Sequence, residues 1–281
     1  MRFVGLFFMD FSCILSFFQG WFASEHIIEV TLFVAIVAFF TGLAFGFVDS
    51  TVGGGGLVVF PMLLFLGIPP HNILATNKLN ASIGTLSAMY HFKKKGLIDM
   101  KKYFPLAFAL TVLWAIIGVF VLKNTSVHVV EKIIPVVMCG ILIYKVVHFK
   151  HGMVAAHKPL FGNMVFIVIF SALLGFYDGF FGPGVGSLWI FAFITFAGMD
   201  SLHASANTKL LNLASNIGSL LVFIPSGMIC FKIAFLMGVG SIFGAKFGVY
   251  ISVKKGAKFI NILFIMVMVI LVGRLFSKFY L

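Results

Sequence analysis

Two lysines stand inside long apolar runs of this chain, each beside an asparagine and a threonine: Ala75-Thr76-Asn77-Lys78-Leu79 and Ala206-Asn207-Thr208-Lys209-Leu210. An ammonium in hydrocarbon costs about 2.5–3.5 kcal/mol, so it needs a partner or a route to the interface. Amide and hydroxyl donors beside it make a cradle for an oxyanion. Upstream of each lysine lies an acid, Asp49 or Asp178, and then a glycine cluster, Gly53-Gly54-Gly55-Gly56 or Gly182-Pro183-Gly184. Successive glycines make a poor helix interior and a good loop leading into a helix, whose first N–H groups and dipole favour an anion. The candidate substrate-binding residues are therefore Gly53, Gly54, Gly55, Gly56, Thr76, Asn77 and Lys78 in the first cluster, and Gly182, Gly184, Asn207, Thr208 and Lys209 in the second. An acid beside an anion is electrostatically awkward, so Asp49 and Asp178 suit gating or proton coupling better than substrate contact. Plainer roles compete with each of these. The lysines can snorkel to the interface, the glycines can let helices pack closely, and the acids can pair with lysines or cap helices.

Other chemistry is poorly supported. The glycine clusters lack both the Lys-Ser/Thr and the preceding strand of a phosphate-binding loop, which argues against nucleotide. Seven of the eight histidines (His71, His91, His128, His148, His151, His157, His203) fall at span ends or in loops without metal-ligand spacing, and Cys13, Cys139 and Cys230 form no CxxC. No Ser-His-Asp or Cys-His set is legible, so no catalytic residue, metal or cofactor is expected. Lys246, within Gly244-Ala245-Lys246-Phe247-Gly248, is a further cation in an apolar run, for which snorkelling and function are equal readings.

The elements that must position these residues come in two copies. Gly46-Phe47-x-Asp49 recurs as Gly175-Phe176-x-Asp178 and Gly53-x-Gly55 as Gly182-x-Gly184, both at an offset of 129; the lysine motifs and Gly96/Gly227 recur at 131. This is an internal duplication, and it governs any reading of the fold. With 61% hydrophobic residues, 10% charged residues and a mean hydropathy of +1.14, most of the chain has lipid as its solvent. The net charge of +12 sits in short connections between apolar runs and forms no basic face, so it reads as membrane topology and not as nucleic-acid binding.

The apolar runs fall at roughly 27–48, 53–68, 74–92, 103–122 and 128–148, then 161–178, 183–198, 205–225, 230–251 and 257–277. The runs after the glycine clusters are too short for the ~20 residues of a full span and are broken at their starts. Paired, broken segments in matching positions of two halves point to a transporter site between them. Lys93, Lys94, Lys95, Lys101 and Lys102, with Lys150 and Lys158 two spans later, mark cytoplasmic connections. Gly96 then lies inside and its equivalent Gly227 outside, so the repeats are inverted. The expected organisation is an N-terminal apolar or interfacial segment (1–26), a first transmembrane repeat (27–148), a cytoplasmic linker (149–160) and a second repeat (161–281). For residues 1–24 an uncleaved helix is preferred over a signal peptide, because Asp10 interrupts the apolar core.

The run G-F-x-D-x-x-x-G-G-G-G, the A-T-N-K-L step and the basic loop K-K-G-L-I-D resemble the sulfite exporter TauE/SafE family of transporters, over roughly residues 28–275. The second half departs from the pattern at Pro183 and at Asn207-Thr208. The resemblance implies a multi-pass inner-membrane carrier for a small sulfur-containing anion: sulfite, thiosulfate or an organosulfonate. The residues alone imply an all-α membrane protein of two inverted repeats with broken helices, moving a small anion by alternating access, with a proton as the candidate coupling ion. No nucleic-acid partner is expected. An anion channel and a membrane-embedded protein without transport activity are the alternatives.

Overall fold

The computed structural model describes residues 29–98, 104–148, 158–160, 162–255 and 269. The N-terminal segment 1–26, Lys101 and Lys102, most of the 149–160 linker and all of the run at 257–277 except residue 269 lie outside the described residues. Among the described residues all regular structure is helical: α1 (Leu32–Val52), α2 (Gly56–Phe65), α3 (Pro70–Lys94), α4 (Phe104–Lys123), α5 (Val127–His148), α6 (Asn163–Phe180), α7 (Val185–Thr195), α8 (Ser201–Phe223) and α9 (Phe231–Lys255). Helices α1, α4 and α9 are each long and apolar enough to cross a membrane. Large apolar side chains such as Phe33, Phe40, Leu221, Phe243 and Phe247 point outward, as they do when the surroundings are lipid. The protein is a helical, multi-pass membrane protein.

Local chemistry sets the helix ends that matter. Helix α1 stops where Gly53 takes φ +66°, a conformation that side chains with a Cβ rarely adopt, and α6 gives way to Gly182 at φ +88°. Between each of those stops and the next helix lies only the glycine cluster, so α2 and α7 are half-helices of 10 and 11 residues. Helix α3 begins at the double proline, with Pro70 in the first turn, where a missing N–H costs nothing. Helix α8 begins at Asp200, whose carboxylate accepts from the N–H groups of Leu202 and His203. Both helices start four residues before the apolar runs do (at 70 and 201, against 74 and 205), which carries Lys78 and Lys209 two turns into their helices.

The halves interlock. Helix α1 packs along α9, and α4 packs along α6, so the first helix of each half lies against the fourth helix of the other. Both seams are made close by glycine. A Cβ on Gly42 would stand 1.9 Å from the Met237 carbonyl oxygen and one on Gly244 2.0 Å from that of Leu43; in the other seam one on Gly179 would stand 2.0 Å from the Ala115 oxygen. Lipid offers no hydrophobic drive to hold helices together, so contact of this closeness supplies the cohesion through dispersion. Helices α3 and α8 also meet directly and carry the two lysines between the seams.

Candidate functional site

The two glycine turns cross each other at the centre of the described structure. A Cβ at Gly53 would lie 2.4 Å from the Gly186 carbonyl carbon, and one at Gly56 3.2 Å from the Cα of Pro183. The backbones pass this closely because Gly53, Gly56 and Gly186 carry no side chain at the contacts. Ser187, on α7, ties the crossing by donating its hydroxyl to the Gly53 carbonyl (2.7 Å), and Tyr177 donates its own to the Pro183 carbonyl (2.8 Å).

Each lysine reaches across to the acid of the other half. The Lys78 ammonium lies 2.6 Å from Asp178 Oδ1, and the Lys209 ammonium 2.8 Å from Asp49 Oδ2. All four side chains are buried, and Lys209 is fully so. Each ammonium also donates to the backbone carbonyl of the same aspartate, at the C-terminal end of α6 or α1. The Gly182 N–H turns back to the Tyr177 carbonyl, leaving that of Asp178 for the lysine. Each lysine thus neutralises a carboxylate and caps the negative end of the helix that bears it. Two cations and two anions cancel, and the centre is formally neutral.

The pairs are not equivalent. Asp178 also accepts from the Ser215 hydroxyl through Oδ2, whereas Asp49 Oδ1 has no hydrogen-bond partner among the described residues. At the repeat offset the counterpart of Ser215 is Gly84, which has no hydroxyl to give.

A small cavity adjoins the crossing, lined by Asp49, Gly54, Gly56, Asn77, Lys78 and Thr85 from the first half and Asp178, Gly182, Gly184, Asn212 and Asn216 from the second, with Phe45, Ala81, Val185 and Gly186 completing the wall. About 20 Å³ is open to the centre of a water molecule, which is room for roughly one water. The structure therefore brings Asp49, Gly54, Gly56, Asn77, Lys78, Asp178, Gly182 and Gly184 to one place. Gly53 and Gly55 form the turn behind it, and Lys209 does not line it. The remaining members of the two lysine motifs bond elsewhere. Thr76 accepts from the Cys230 N–H at the start of α9 (3.0 Å), Asn207 donates to the His203 carbonyl (2.9 Å), and Thr208 donates to the Ala204 carbonyl (2.8 Å).

Sequence reasoning missed Ser215, Asn212 and Asn216. The signal was present: Ser205, Lys209, Asn212, Asn216 and Ser219 recur at three- and four-residue steps through an apolar helix, one polar stripe facing the protein interior.

Buried, charge-paired lysines at a crossing of two half-helices, inside a bundle with an apolar exterior, define a class: a polytopic membrane transporter. Residues 38–275 match the family described as Sulfite exporter TauE/SafE, and the chain belongs to it. It is 36% identical over 244 residues to the probable membrane transporter protein ORF9 of a Sinorhizobium species, covering 86% of this chain and 93% of that one. Its identity to the probable membrane transporter protein YfcA of Escherichia coli K12 is 36% over 239 residues, or 85% and 88% of the two chains. A probable membrane transporter protein of Haemophilus influenzae shares 34% over 234 residues, 83% and 91%. No solved structure matches the chain.

Proposed function

We propose that this protein is a secondary transporter of the inner membrane that carries a small sulfur-containing anion (sulfite, thiosulfate or an organosulfonate) by alternating access between two inverted repeats. The observation that carries the reading is the pair of crossed bridges, Lys78–Asp178 and Lys209–Asp49, each joining one half to the other beside the half-helix termini. The exchange of first and fourth helices between halves supports the inverted arrangement, since each seam is the other's counterpart at an offset near 130. The substrate ligands in this reading are Lys78, Asn77 and the backbone of Gly54, Gly56, Gly182 and Gly184, with Gly53, Gly55, Thr76, Asn207, Thr208 and Lys209 holding them in place.

A cavity with room for one water is a closed state, and a sulfur oxyanion enters only when the halves move apart. That movement stretches both bridges. An arriving anion can take the place of a departing carboxylate on the lysine, and a proton can neutralise the carboxylate left behind. Anion and proton arriving together leave the centre as neutral as before, which is why a proton suits the coupling. In this reading the 93–102 connection and the 149–160 linker face the cytoplasm.

The test is uptake by proteoliposomes of radiolabelled sulfite, thiosulfate and taurine, with and without an imposed proton gradient. Saturable uptake of at least one, stimulated by the gradient, is expected. Flux that fails to saturate indicates a channel, and absence of uptake for all three removes the sulfur assignment.

A further inference from the structure

Once the two lysines are matched by two aspartates, net charge cannot hold an anion at this centre. Apart from the unpartnered Oδ1 of Asp49, the uncommitted polar groups around the cavity are neutral, and two of them come from one helix. Asn212 and Asn216 lie one turn apart on α8, on the same face, and both line the cavity. Both are at least nine-tenths buried. The buried Asn212 Oδ1 has no hydrogen-bond partner among the described residues. A buried carboxamide oxygen is costly to leave unbonded, so it calls for a partner from the cavity, a water when the site is closed or a ligand when one is bound. At the repeat offset of 131 the counterparts are Ala81 and Thr85, which line the same cavity without any amide.

We propose that Asn212 and Asn216 are the residues that determine specificity, gripping the substrate from the second half while Lys78 and Asn77 hold it from the first. The inference rests on the transporter reading above and narrows its substrate class. A carboxamide offers an N–H donor and a C=O acceptor side by side. Its complement is an anion bearing an O–H next to an O⁻ on one centre: a singly protonated oxyanion, of which hydrogen sulfite is the sulfur example. An anion of equal charge and similar size with no O–H, such as methanesulfonate, leaves the carbonyl end unsatisfied and is rejected, as sites built to bond a hydroxyl reject analogues lacking it.

The test uses purified full-length protein and reads stabilisation against heat, titrated with two matched pairs at one mildly acidic pH: hydrogen sulfite against methanesulfonate, and hydrogen carbonate against acetate. Asn212→Ala and Asn216→Thr are the variants, because the first half already carries those residues at the equivalent positions and the architecture accepts them. Wild type is expected to bind hydrogen sulfite at least tenfold more tightly than methanesulfonate, and Asn212→Ala to abolish that preference. Asn216→Thr, which puts a hydroxyl in place of the carboxamide, should reduce it by a smaller factor. If only the hydrogen carbonate pair shows the preference, and Asn212→Ala removes it, the carboxamide assignment stands and the sulfur assignment falls. If wild type discriminates within neither pair, or if Asn212→Ala discriminates as wild type does, the carboxamide assignment is overturned, whatever the proteoliposome uptake shows.

Discussion

Removing Lys78 alone should damage this protein more than removing Lys78 and Asp178 together. In the wild type the Asp178 carboxylate is buried, with 4% of its side chain exposed, and holds Lys78 at 2.6 Å and the Ser215 hydroxyl. Lys78→Met keeps an unbranched side chain one atom shorter and deletes its charge, leaving a carboxylate in a low-dielectric interior with one neutral donor. Breaking a buried pair in this way costs about 3–5 kcal/mol. In Lys78→Met/Asp178→Asn the carboxamide keeps the shape of the acid and its bond with Ser215, and no charge is stranded. Neutral replacement of a buried ion pair is often without cost, so the double variant should recover most of the loss, with a coupling energy of about 2–3 kcal/mol. The assay is unfolding in mixed micelles titrated with sodium dodecyl sulfate, read by helical circular dichroism and arranged as a double-mutant cycle. Both variants should lose uptake, because the ammonium is gone in each. If Lys78→Met costs less than about 1 kcal/mol, or the two substitutions simply add, the lysine does not serve as the partner of Asp178, and the neutral centre argued above is wrong.

Three further outcomes are expected. Asp178→Asn should lower folded yield more than Asp49→Asn does, because both oxygens of Asp178 are held and Asp49 Oδ1 has no partner among the described residues; gradient-stimulated uptake should be lost in Asp49→Asn, and equal yields with intact coupling would contradict the asymmetry. Gly179→Ala and Gly240→Ala should both impair folding, since their Cβ atoms would stand 2.0 and 2.1 Å from the carbonyl oxygens of Ala115 and Phe39, while Gly140→Ala, with nothing within 4 Å, should be neutral or stabilise by about 0.4–1 kcal/mol in the same micelle titration. Asp200→Ala should cost about 1 kcal/mol by uncapping α8. Partial burial pushes the Asp200 carboxyl up, but the His203 and Leu202 hydrogen bonds and the His203 ring together hold it below its ordinary value of 3.8; the capping contribution is therefore complete above that range and disappears as pH falls below it, so the wild type and Asp200→Ala should converge in stability in acid.

The helices were legible because composition, glycine and proline left few choices. Hydropathy marked every described helix within a few residues, and the glycine clusters announced the two half-helices. What the one-dimensional pattern could not convey was partnership. Lys78 reads as a free cation because Asp178 is 100 residues away, and only the interlocking of α3 with the end of α6 brings them together. Pairing with a lysine was one of several roles open to Asp49 and Asp178, and nothing in the spacing favoured the opposite half over the same one. Thr76, Asn207 and Thr208 sit beside the lysines in sequence, yet a helix turns adjacent residues about 100° apart. Thr76, Asn207 and Thr208 are therefore directed into other interfaces; Asn77 still reaches the cavity beside Lys78, and the other α3 residues lining it, Ala81 and Thr85, stand three and seven positions further on.

That helical spacing also explains how one duplicated architecture supports two different jobs. The charged groups are symmetric: each half supplies one lysine and one aspartate, and each pair spans the halves. Bridges of this kind must be symmetric, since a lysine without its opposite aspartate strands a charge at a cost of several kcal/mol. The neutral positions one and two turns further along carry no such obligation. Ala81, Gly84 and Thr85 on α3 stand opposite Asn212, Ser215 and Asn216 on α8, and substitution at any of them alters hydrogen bonding without stranding a charge. Divergence between the halves is cheap there and expensive at the lysines. The first half is accordingly left with an aspartate oxygen that has no hydrogen-bond partner among the described residues, and the second with the unpartnered Asn212 Oδ1 beside a fully held aspartate. Under the proposed mechanism, the first side offers a proton its acceptor and the second adds the carboxamides that select the oxyanion.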